Sequence, residues 1–522
     1  MTHWYVGYKS DGETDYRPKH IYSDKSDPKS KIKEVFWGDY LVVTDESDAD
    51  WLNVNWGGKP AFFKKTDAVH SRPLEIVFVD VGQGDGAVLI TPERDDGEAI
   101  IVIDAGKDDM MANFLNGRFG KYLQNMDFHA AIMTHCDEDH YGGFRDLVGL
   151  AGFEKVYHNG LVERASSFED ANGQRISRKK NDRLGTLKSA GYADFPETHT
   201  AFKAAFSDKK PGGDFATFAA DMLKDTRWGG TKFLGRKGPP TAMNQAWLPG
   251  FAPADGREYT IEVLGPIVTT QPDGTKTLPR FDSNYGKTKN GNSILLRLAY
   301  GNFSVFFGGD LNRPAEEYLL AQYAGRDNFP ELDVRGGPIR TLEALVAEIE
   351  AVSQTASPHF SSSVMKTCHH GSADVTDAFI QAVDPAAFVI SSGETGGYVH
   401  PRPDLLGRLG KLGAGLAPVI LSTELQRGSR QDDDFKDAKA LRKKLANFTP
   451  SANGDLPEDI DRLITRLARS NVQVYGAIYL KTDGDRLVTA FKKENDNPKS
   501  RWFHFEYKVT EHGLMAMASG SH

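Results

Sequence analysis

Cysteine and long apolar segments are both scarce in this chain. Only two of its 522 residues are cysteines, which excludes a disulfide framework and fits a reducing compartment. No apolar run is long enough to cross a bilayer, and the first twenty residues hold no apolar core of a secretion signal. We therefore expect no membrane partner and, by default, a cytoplasmic location.

Positive charge is not in excess either. The 63 Lys and Arg residues against 72 Asp and Glu residues give a net charge of −9. This balance argues against general affinity for nucleic acids, but it does not exclude a local basic groove. A chain of 522 residues with 39% hydrophobic residues has the composition of a globular protein and is too long for one core, so two or three domains are expected. The GxSxG signature of a serine nucleophile is absent.

Residues 1–72 read as a separate β-rich module. Short β-prone runs at Asp39–Thr44 and Trp51–Trp56 alternate with polar turns, and Gly57-Gly58 follows the second run. The stretch WLNVNWGGKPAFF resembles a strand pair of the small bacterial Src-homology-type barrels, which bind or position rather than catalyse. A small β-barrel-like domain that contacts a protein partner is one interpretation, and a packing extension is the other.

Residues 73–510 read as one larger α/β domain. Strands at Leu74–Val79 and Ala87–Ile90 flank a glycine-rich turn, and because a strand follows that turn, a hairpin is favoured over a phosphate-binding loop. A third strand, Ala99–Ile103, precedes Asp104. Strand and helix patterns then alternate to residue 422, two helical patterns follow at Ala438–Leu445 and Ile460–Leu467, and three strand patterns end the chain. Strands in two sets with interspersed helices predict a layered α/β sandwich.

A segment at about 160–255 interrupts this pattern. Helical pieces are predicted at Thr200–Phe206 and Phe215–Lys224, separated by Gly and Pro clusters. Residues 161–240 contain 15 Lys and Arg against 10 Asp and Glu, a local excess of five positive charges. The segment is either a solvated helical insertion or a lid that contacts an anionic substrate.

The densest group of ligand-type side chains follows the apolar run Ala130–Met133. His135, Asp137, Asp139 and His140 form an HxDxDH pattern that ends in Gly142-Gly143. Buried carboxylates at this spacing would repel one another and lose hydration unless a cation lay among them. The pattern predicts two neighbouring metal positions, the first with His135 and Asp137 and the second with Asp139 and His140.

The two cysteines, Cys136 and Cys368, each lie inside a histidine-rich stretch. We interpret them as small packed residues, with a metal ligand or redox pair as the alternative.

The HxDxDHxGG pattern is accompanied by five further stretches in a fixed order: FVDVGQGDGAVLI, IVIDAG, NGNSILLRLAYGNFSVFFGGD, MKTCHHGSADV and GYVHPRPDLLGRL. Together they resemble the metallo-β-lactamase fold, in the variant found in the hydrolase domain of ComEC-type DNA-uptake proteins. The resemblance covers roughly residues 74–425. It implies an αββα sandwich with a dinuclear metal site at one edge.

The resemblance also implies roles for single residues. Asp310 would bridge both ions, and one of His369 and His370 would complete the second position. Asp139 and His400 are the catalytic candidates, with His400 acting as an acid or an electrophile. The remaining implied roles are support of the ligands by Asp104 and Asp85, and contact with the substrate by Arg402, Ser372 and Asn292.

Two departures from the commoner form of this fold affect the first position. Histidine usually stands where this chain has Asp137, and a further histidine usually precedes the strand that begins here at Ser293, where this chain has Lys289-Asn-Gly-Asn292. The first position is therefore richer in oxygen and short of one nitrogen, which favours Mn²⁺ or Mg²⁺ over Zn²⁺ there. Whether it is filled without substrate stays open.

The expected cofactor is a pair of divalent ions, Mn²⁺ or Zn²⁺ first and Mg²⁺ as an alternative. Such a pair lowers the pKa of a water molecule and holds the attacked group, so metal-assisted hydrolysis is the expected reaction class. The leading interpretation is a phosphodiesterase, most specifically a nuclease with DNA as its substrate. The alternatives are a hydrolase of a small phosphodiester or ester, and an inactive metal-binding scaffold.

Overall fold

The computed structural model describes residues 3–9, 16–94, 97–169, 172–188, 191–206, 213–240, 244–282, 284–332, 339, 341–393, 400–415, 418–423, 441, 443–445, 460, 476–493, 497–510 and 513–516. In this part of the chain, no helix combines the length and the apolar character that a bilayer crossing requires.

The N-terminal segment forms two sheets around a small core. Its strands are β1 (Trp4–Val6), β2 (Lys19–Tyr22), β3 (Lys31–Val35), β4 (Tyr40–Leu41), β5 (Val43–Asp45), β6 (Trp51–Trp56), β7 (Lys59–Lys64) and β8 (Ala68–Val69). One sheet has the order β4-β1-β8 and the other β3-β2-β7-β6-β5, and Val6, Leu52 and Phe63 pack between them. The expected strand Trp51–Trp56 is present, but the described strands form no closed barrel, and the boundary at residue 72 stays a prediction.

This N-terminal segment packs against the C-terminal strands β28 (Ile478–Thr482), β29 (Arg486–Lys492), β30 (Trp502–Thr510) and β31 (Gly513–Ala516). The rings of Phe36 and Trp502 stack at 4.7 Å, and the Tyr16 amide donates to a Glu506 carboxylate oxygen at 3.0 Å. The Lys481 ammonium donates to the Trp37 carbonyl at 2.5 Å. These buried contacts agree with a packing role, and a role in binding a protein partner stays a prediction.

The segment after the N-terminal sheets contains β9 (Leu74–Phe78), β10 (Gly86–Ile90), β11 (Ile100–Ala105), α1 (Met110–Phe119), β12 (Asp127–Met133), α2 (Glu138–Tyr141) and β13 (Gly152–His158). Strands β9 and β10 are antiparallel neighbours, so the glycine-rich stretch between them is a hairpin connection, as predicted. Strands β11, β12 and β13 run parallel, which brings their carboxyl ends to one edge.

The insertion is helical only in part. It contains β14 (Ser167–Glu169), β15 (Arg175–Ser177), β16 (Thr186–Lys188), β17 (Gly191–Ala193), α3 (His199–Ala205), α4 (Asp214–Met222), β18 (Thr231–Phe233) and β19 (Arg236–Lys237). The two helices lie where they were predicted. The basic stretch before them instead forms strands of two short hairpins, and β18 pairs with β13, because the aromatic side chains of this region pack into the main core.

The segment after the insertion contains β20 (Tyr259–Gly265), β21 (Ile267–Thr270), β22 (Lys276–Thr277), α5 (Tyr285–Gly291), β23 (Leu295–Tyr300), β24 (Phe303–Phe307), α6 (Arg313–Tyr323), α7 (Leu342–Phe360), β25 (Val364–Lys366), α8 (Asp377–Val383), β26 (Ala387–Ile390), α9 (Pro403–Leu412) and β27 (Val419–Ser422). The helical patterns expected at 438–445 and 460–467 lie outside the described residues, apart from five single positions.

These elements build four layers. One sheet has the order β18-β13-β12-β11-β10-β9-β28-β29-β30-β31, and the other has the order β20-β23-β24-β25-β26-β27. Alternate residues of both sheets, among them Ile101 and Val305, pack against each other in a shared core. The opposite faces pack on α1 in one outer core and on α6, α7 and α8 in the other. The predicted α/β fold is confirmed, with mixed sheets in an αββα order.

Candidate metal centre

The strands bring the predicted ligands together from both sheets. Asp104 lies in β11, His135 follows β12, Asp310 follows β24, and His370 follows β25. Strands β11 and β12 are parallel, and so are β24 and β25. Because carboxyl ends of parallel strands meet at the same edge, four segments far apart in the sequence converge at one edge of the sandwich.

Two glycines allow the loops at this edge to approach closely. A side chain on Gly84, which has a φ of +130°, would place its Cβ 2.1 Å from the Asp139 carbonyl oxygen. A Cβ on Gly143 would lie 2.1 Å from the Ala105 carbonyl oxygen. Glycine is therefore needed at both positions, and as a result Asp85 reaches the loop that carries the HxDxDH pattern, where its amide donates to Asp139 at 3.2 Å.

The second position is a compact set of side chains. Asp310 Oδ1 lies 3.2 Å from His140 Nε2, and Asp310 Oδ2 lies 3.2 Å from His370 Nε2. The two Nε2 atoms are 3.3 Å apart, and Asp139 Oδ2 lies 3.4 Å from His370 Nε2. The sequence left open which of His369 and His370 joins this position, and the geometry places His370 there.

Buried groups hold both imidazoles from behind. Asp104 Oδ2 lies 2.8 Å from His140 Nδ1, and the two carboxylate oxygens of Asp104 also accept from the amide and hydroxyl of Thr134 at 2.8 and 2.6 Å. Nδ1 of His370 lies 3.0 Å from Asp85 Oδ1 and 3.1 Å from the Ser391 carbonyl oxygen. With Nδ1 occupied in this way, Nε2 of each imidazole faces the second position.

Lys366, which the sequence did not single out as a site residue, is buried beside Asp85. Lys366 is 3% exposed, and its ammonium contacts the Asp85 carboxylate and donates to the Gly309 carbonyl at 3.1 Å. Burial lowers the pKa of Lys366, and the Asp85 and Asp310 carboxylates raise it by more. The only signal in the sequence was its position in MKTCHHG, four residues before His370.

The donor atoms fit a divalent ion at the second position. Asp85, His140, Asp310 and His370, here called the buried group, each offer a ligand-type atom, and these atoms lie within 4.8 Å of one another. His140, Asp310 and His370 face the second position, whereas Asp85 lies behind His370. Burial lowers the pKa of both imidazoles, but neighbouring carboxylates raise it by a larger amount: Asp310 and Asp104 at His140, and Asp310 and Asp85 at His370. The pKa of each imidazole therefore lies well above its usual range. Burial raises the pKa of the Asp310 carboxyl, but the imidazoles of His140 and His370 lower it by more, so that it lies well below its usual range. The carboxylates therefore create a strong demand for positive charge here.

The first position is looser. His135 is 1% exposed, and its Nε2 atom has no hydrogen-bond partner among the described residues. Carboxylate oxygens of Asp137 and Asp310 lie 3.7 and 3.9 Å from that atom. The other oxygen of Asp137 contacts the Lys289 ammonium. An unpaired buried nitrogen between two carboxylates fits an ion, although fewer donors surround this position than the second.

The metal centre opens into a cleft of about 910 Å³ that Asp137, Asp139 and Asp310 help to line. His369, with 28% of its side chain exposed, lines this cleft together with His400. Burial lowers the pKa of His400 to about 4, so His400 is neutral at pH 7. A neutral imidazole can donate a hydrogen bond but cannot act as an imidazolium acid, which favours the electrophile over the acid role predicted for His400.

The three residues expected to contact the substrate do not line the cleft. Asn292 is fully buried, and its side-chain amide donates to the carbonyls of residues 279 and 288, both at 2.9 Å. Ser372 accepts from the Asp374 amide at 3.2 Å, and Arg402 extends from the start of α9 toward Asp404 at 3.5 Å. Asn290, two residues before Asn292, does line the cleft.

Both cysteines are buried thiols outside the buried group. The Cys136 thiol donates to the Leu161 carbonyl at 2.8 Å, and burial raises the pKa of both thiols. This environment agrees with packed, unreactive residues rather than with a redox pair.

One protein-family model matches the part of the chain that carries the predicted metal loop. Residues 87–201, which contain the HxDxDH loop, match the model of the metallo-beta-lactamase superfamily. None of the curated proteins compared with the chain matches it. Similar solved structures include a motif mutant of the metallo-beta-lactamase from Cronobacter sakazakii, with 13% identity over 56% of this chain and 76% of the other and a TM-score of 0.22. MEM-A1, a subclass B3 metallo-beta-lactamase from a soil metagenome library, has 11% identity over 56% and 79% and a TM-score of 0.21.

The family match covers about a fifth of the chain, so residues 87–201 are similar to the metallo-β-lactamase superfamily, and the activity of the whole chain is not shown by this similarity.

Proposed function

We propose that this chain is a metal-dependent phosphodiesterase that cleaves DNA. The observation that carries the proposal is the buried group, whose ligand-type atoms lie within 4.8 Å of one another and of which Asp310 and His370 line a cleft of about 910 Å³. The resemblance of the ordered motifs to ComEC-type hydrolase domains supports DNA as the substrate. Divalent ions at this site would lower the pKa of a water molecule and polarise the phosphoryl group.

The chain's own residues would hold the reacting groups. Asp104 and Asp85 fix the two imidazoles of the second position, so that their ligand nitrogens need not reorganise during the reaction. Asp139, with 28% of its side chain exposed, faces the cleft and can orient a water molecule. His400 can donate a hydrogen bond to a phosphate oxygen or to the leaving oxygen.

Charge at the cleft supports a requirement for ions in substrate binding. Lys107 and Lys287 line the cleft, but each is paired with a carboxylate, Glu138 at 3.4 Å and Asp374 at 3.7 Å. These pairs leave little free positive charge at the rim. We therefore expect phosphate binding itself, as well as cleavage, to depend on divalent ions.

The insertion supplies further cations beside the first position. A second cavity of about 340 Å³ is lined by Asp137 and Lys289 together with Arg164 and Arg183 of the insertion. Glu163 and Asp214 line it too. Contacts of this kind with a DNA backbone would make binding weaker as salt increases.

The test uses metal-stripped protein with single-stranded DNA, double-stranded DNA and bis(4-nitrophenyl) phosphate, each with Mn²⁺, Mg²⁺ or Zn²⁺. We expect cleavage of DNA that requires an added ion and that is lost in Asp310→Asn. His129→Gln, at a histidine 25% exposed that pairs with Glu154 away from the cleft, is the matched control and should retain full activity. DNA left intact under all three ions by a protein that binds them would reject the nuclease.

One observation favours a second candidate function. The acidic partners of both rim lysines oppose a long polyanion, and a cleft of about 910 Å³ is within the usual range for small-molecule sites. A small phosphodiester or ester would then be the substrate. Ion-dependent cleavage of the chromogenic diester without cleavage of DNA would favour this candidate, and bound ions without hydrolysis of any substrate would favour the scaffold.

A further inference from the structure

The first metal position is adjacent to a lysine that no ligand role explains. Lys289 lies in α5, and its side chain is 12% exposed. Its ammonium contacts Asp137 Oδ1 and lies 3.5 Å from Glu163 Oε2. A lysine side chain that contacts two carboxylates keeps its ordinary positive charge at neutral pH.

The two oxygens of Asp137 have different partners. Oδ1 contacts the Lys289 ammonium, whereas Oδ2 lies 3.7 Å from His135 Nε2. A metal ion at the first position would thus share this carboxylate with a fixed positive charge. A carboxylate that already neutralises an ammonium is a weaker ligand, and the ammonium also repels a cation placed on the other side.

Among the described residues, no such competitor contacts a ligand that faces the second position. Its two imidazoles are backed by acceptors on the far side, Asp104 and Asp85. Lys366 pairs with Asp85, which lies behind His370 at Nδ1, rather than with Asp139 or Asp310. His140, Asp310 and His370 face the second position with their ligand atoms 3.2–3.3 Å apart. At the first position, carboxylate oxygens of Asp137 and the shared Asp310 lie farther from His135 Nε2, at 3.7 and 3.9 Å.

We propose that Lys289 makes the first position a weak ion site, so that the second position holds a resident ion and the first ion binds firmly only with the substrate. An oxygen of a phosphodiester would supply the donor that the protein lacks at the first position. This inference rests on the proposed hydrolase function, and it names the class of ligand, a phosphate oxyanion, that completes the site.

The affinity of the protein for Mn²⁺ tests the proposal without any activity assay. Isothermal titration and electron paramagnetic resonance would be applied to metal-stripped wild type, Lys289→Met and Lys289→Arg. We expect wild type to bind one ion tightly and a second at least about tenfold more weakly. Lys289→Met should tighten the weak ion by about tenfold or more, because it removes a positive charge beside Asp137, and should yield the signal of a spin-coupled pair at lower Mn²⁺ concentration. Lys289→Arg should behave like wild type.

A lysine of the same charge provides the matched control. Lys107 lines the cleft and pairs with Glu138 at 3.4 Å, but no contact joins it to Asp137 among the described residues. Lys107→Met should leave both Mn²⁺ affinities within about twofold of wild type, since screened exposed charges interact weakly. Equal tightening by Lys107→Met and Lys289→Met would reject a specific effect through Asp137.

Diethyl phosphate is the probe for the substrate part of the inference, because it is a phosphodiester without an activated leaving group. Adding it to wild type should tighten the weak Mn²⁺ ion, and it should have a smaller effect in Lys289→Met. No tightening in wild type would overturn completion by substrate. Two ions of equal affinity in unliganded wild type would overturn the inference whether or not any variant folds.

A loss of the weak ion in folded Lys289→Met would also overturn it, because Lys289 would then be supporting Asp137 as a ligand. These outcomes are independent of the nuclease proposal. Failure to cleave DNA leaves the two Mn²⁺ affinities measurable, and two equal affinities leave the DNA assay unaffected.

Discussion

The two metal positions share Asp310 but differ in what surrounds their other ligands. At the second position, each imidazole has a carboxylate at 2.8 or 3.0 Å on its far side. At the first position, Asp137 faces an ammonium, and His135 has no partner at Nε2 among the described residues. Donor types alone would make the two positions similar, so the difference comes from the groups behind the ligands.

The groups behind a ligand affect two separate properties: the direction in which the ligand points and the strength with which it binds an ion. When an imidazole donates a buried hydrogen bond through one nitrogen, its other nitrogen becomes a stronger metal ligand and the ring orientation is fixed. A positive charge behind a carboxylate fixes its direction too, but it weakens the donor. Support from behind therefore favours ion binding at one position and opposes it at the other.

The neighbours His369 and His370 allow the sharpest test of this comparison. Both have left-handed backbone angles, with φ of +48° and +53°, yet the side chain of His370 is 2% exposed and that of His369 is 28% exposed. We expect His370→Gln to lose the resident ion and to lose more activity than the roughly 10- to 100-fold typical of residues behind the ligands. His369→Gln should keep the ion. Equilibrium dialysis with kinetics measures both, and equal ion loss in the two variants would contradict the assignment of His370.

The next largest effect is expected at the buried pair Lys366 and Asp85. Lys366→Met leaves the Asp85 carboxylate buried beside His370 without its cation, which should lower the free energy of unfolding by about 3–5 kcal/mol. The double variant with Asp85→Asn should recover much of this loss. Urea unfolding measures the change, and Lys224→Met, at a lysine 75% exposed, should change stability by less than about 1 kcal/mol. A double variant no more stable than Lys366→Met would argue against the pair as the cause.

A smaller effect is expected at Asp104, which accepts from His140 and Thr134. Asp104→Asn keeps the shape but offers an amide in place of one carboxylate oxygen, so His140 becomes a weaker and less well oriented ligand. We expect resident-ion affinity to fall about 10- to 100-fold, with the weak ion little changed. Titration with Mn²⁺ would show this, and weakening of both ions by the same factor would indicate a general loss of structure instead.

The smallest effect on the metal centre is expected at Glu316, a buried carboxylate that has no ion pair among the described residues. Burial raises its pKa from 4.5 to about 8, so the folded protein keeps a proton that the unfolded chain releases. The free energy of unfolding should therefore fall as the pH rises from about 4.5 to about 8. Glu316→Gln, which can still accept from the Thr376 amide, should remove this slope and leave ion affinity unchanged. Unfolding measured across this pH range would show it, and identical pH profiles would contradict it.

Local sequence predicted much of the site because its ligands are short-range features. HxDxDH places its side chains on one loop after an apolar strand, and FFGGD places Asp310 directly after β24. The hairpin at Gly82–Gly86 followed from the strand on each side of it. Alternation of apolar residues predicted the strands, and two sets of strands predicted the sandwich.

Contacts between distant segments could not be predicted in the same way. Lys366 and Asp85 are 281 residues apart, and an isolated lysine in the sequence gives no sign that it will be buried. His369 and His370 are adjacent and both have left-handed backbone angles, yet one side chain is 28% exposed and the other 2%, a difference that the HH dipeptide does not reveal. Asn290 lines the cleft, whereas Asn292, two residues further along, is buried, and the spacing in the sequence does not show which of the two faces the cleft.

The origin of the ligands in both sheets has a mechanical consequence. His140 lies after β12 of the ten-stranded sheet, whereas Asp310 and His370 lie after β24 and β25 of the six-stranded sheet. An ion at the second position would link loops of the two sheets at this edge of the sandwich, where polar loops replace the apolar core. An ion at a concentration a thousand times its dissociation constant adds about 4 kcal/mol to folding stability. Chelation should therefore loosen this edge first, with amide exchange rising in the loops after β12, β24 and β25 before it rises in the strands themselves.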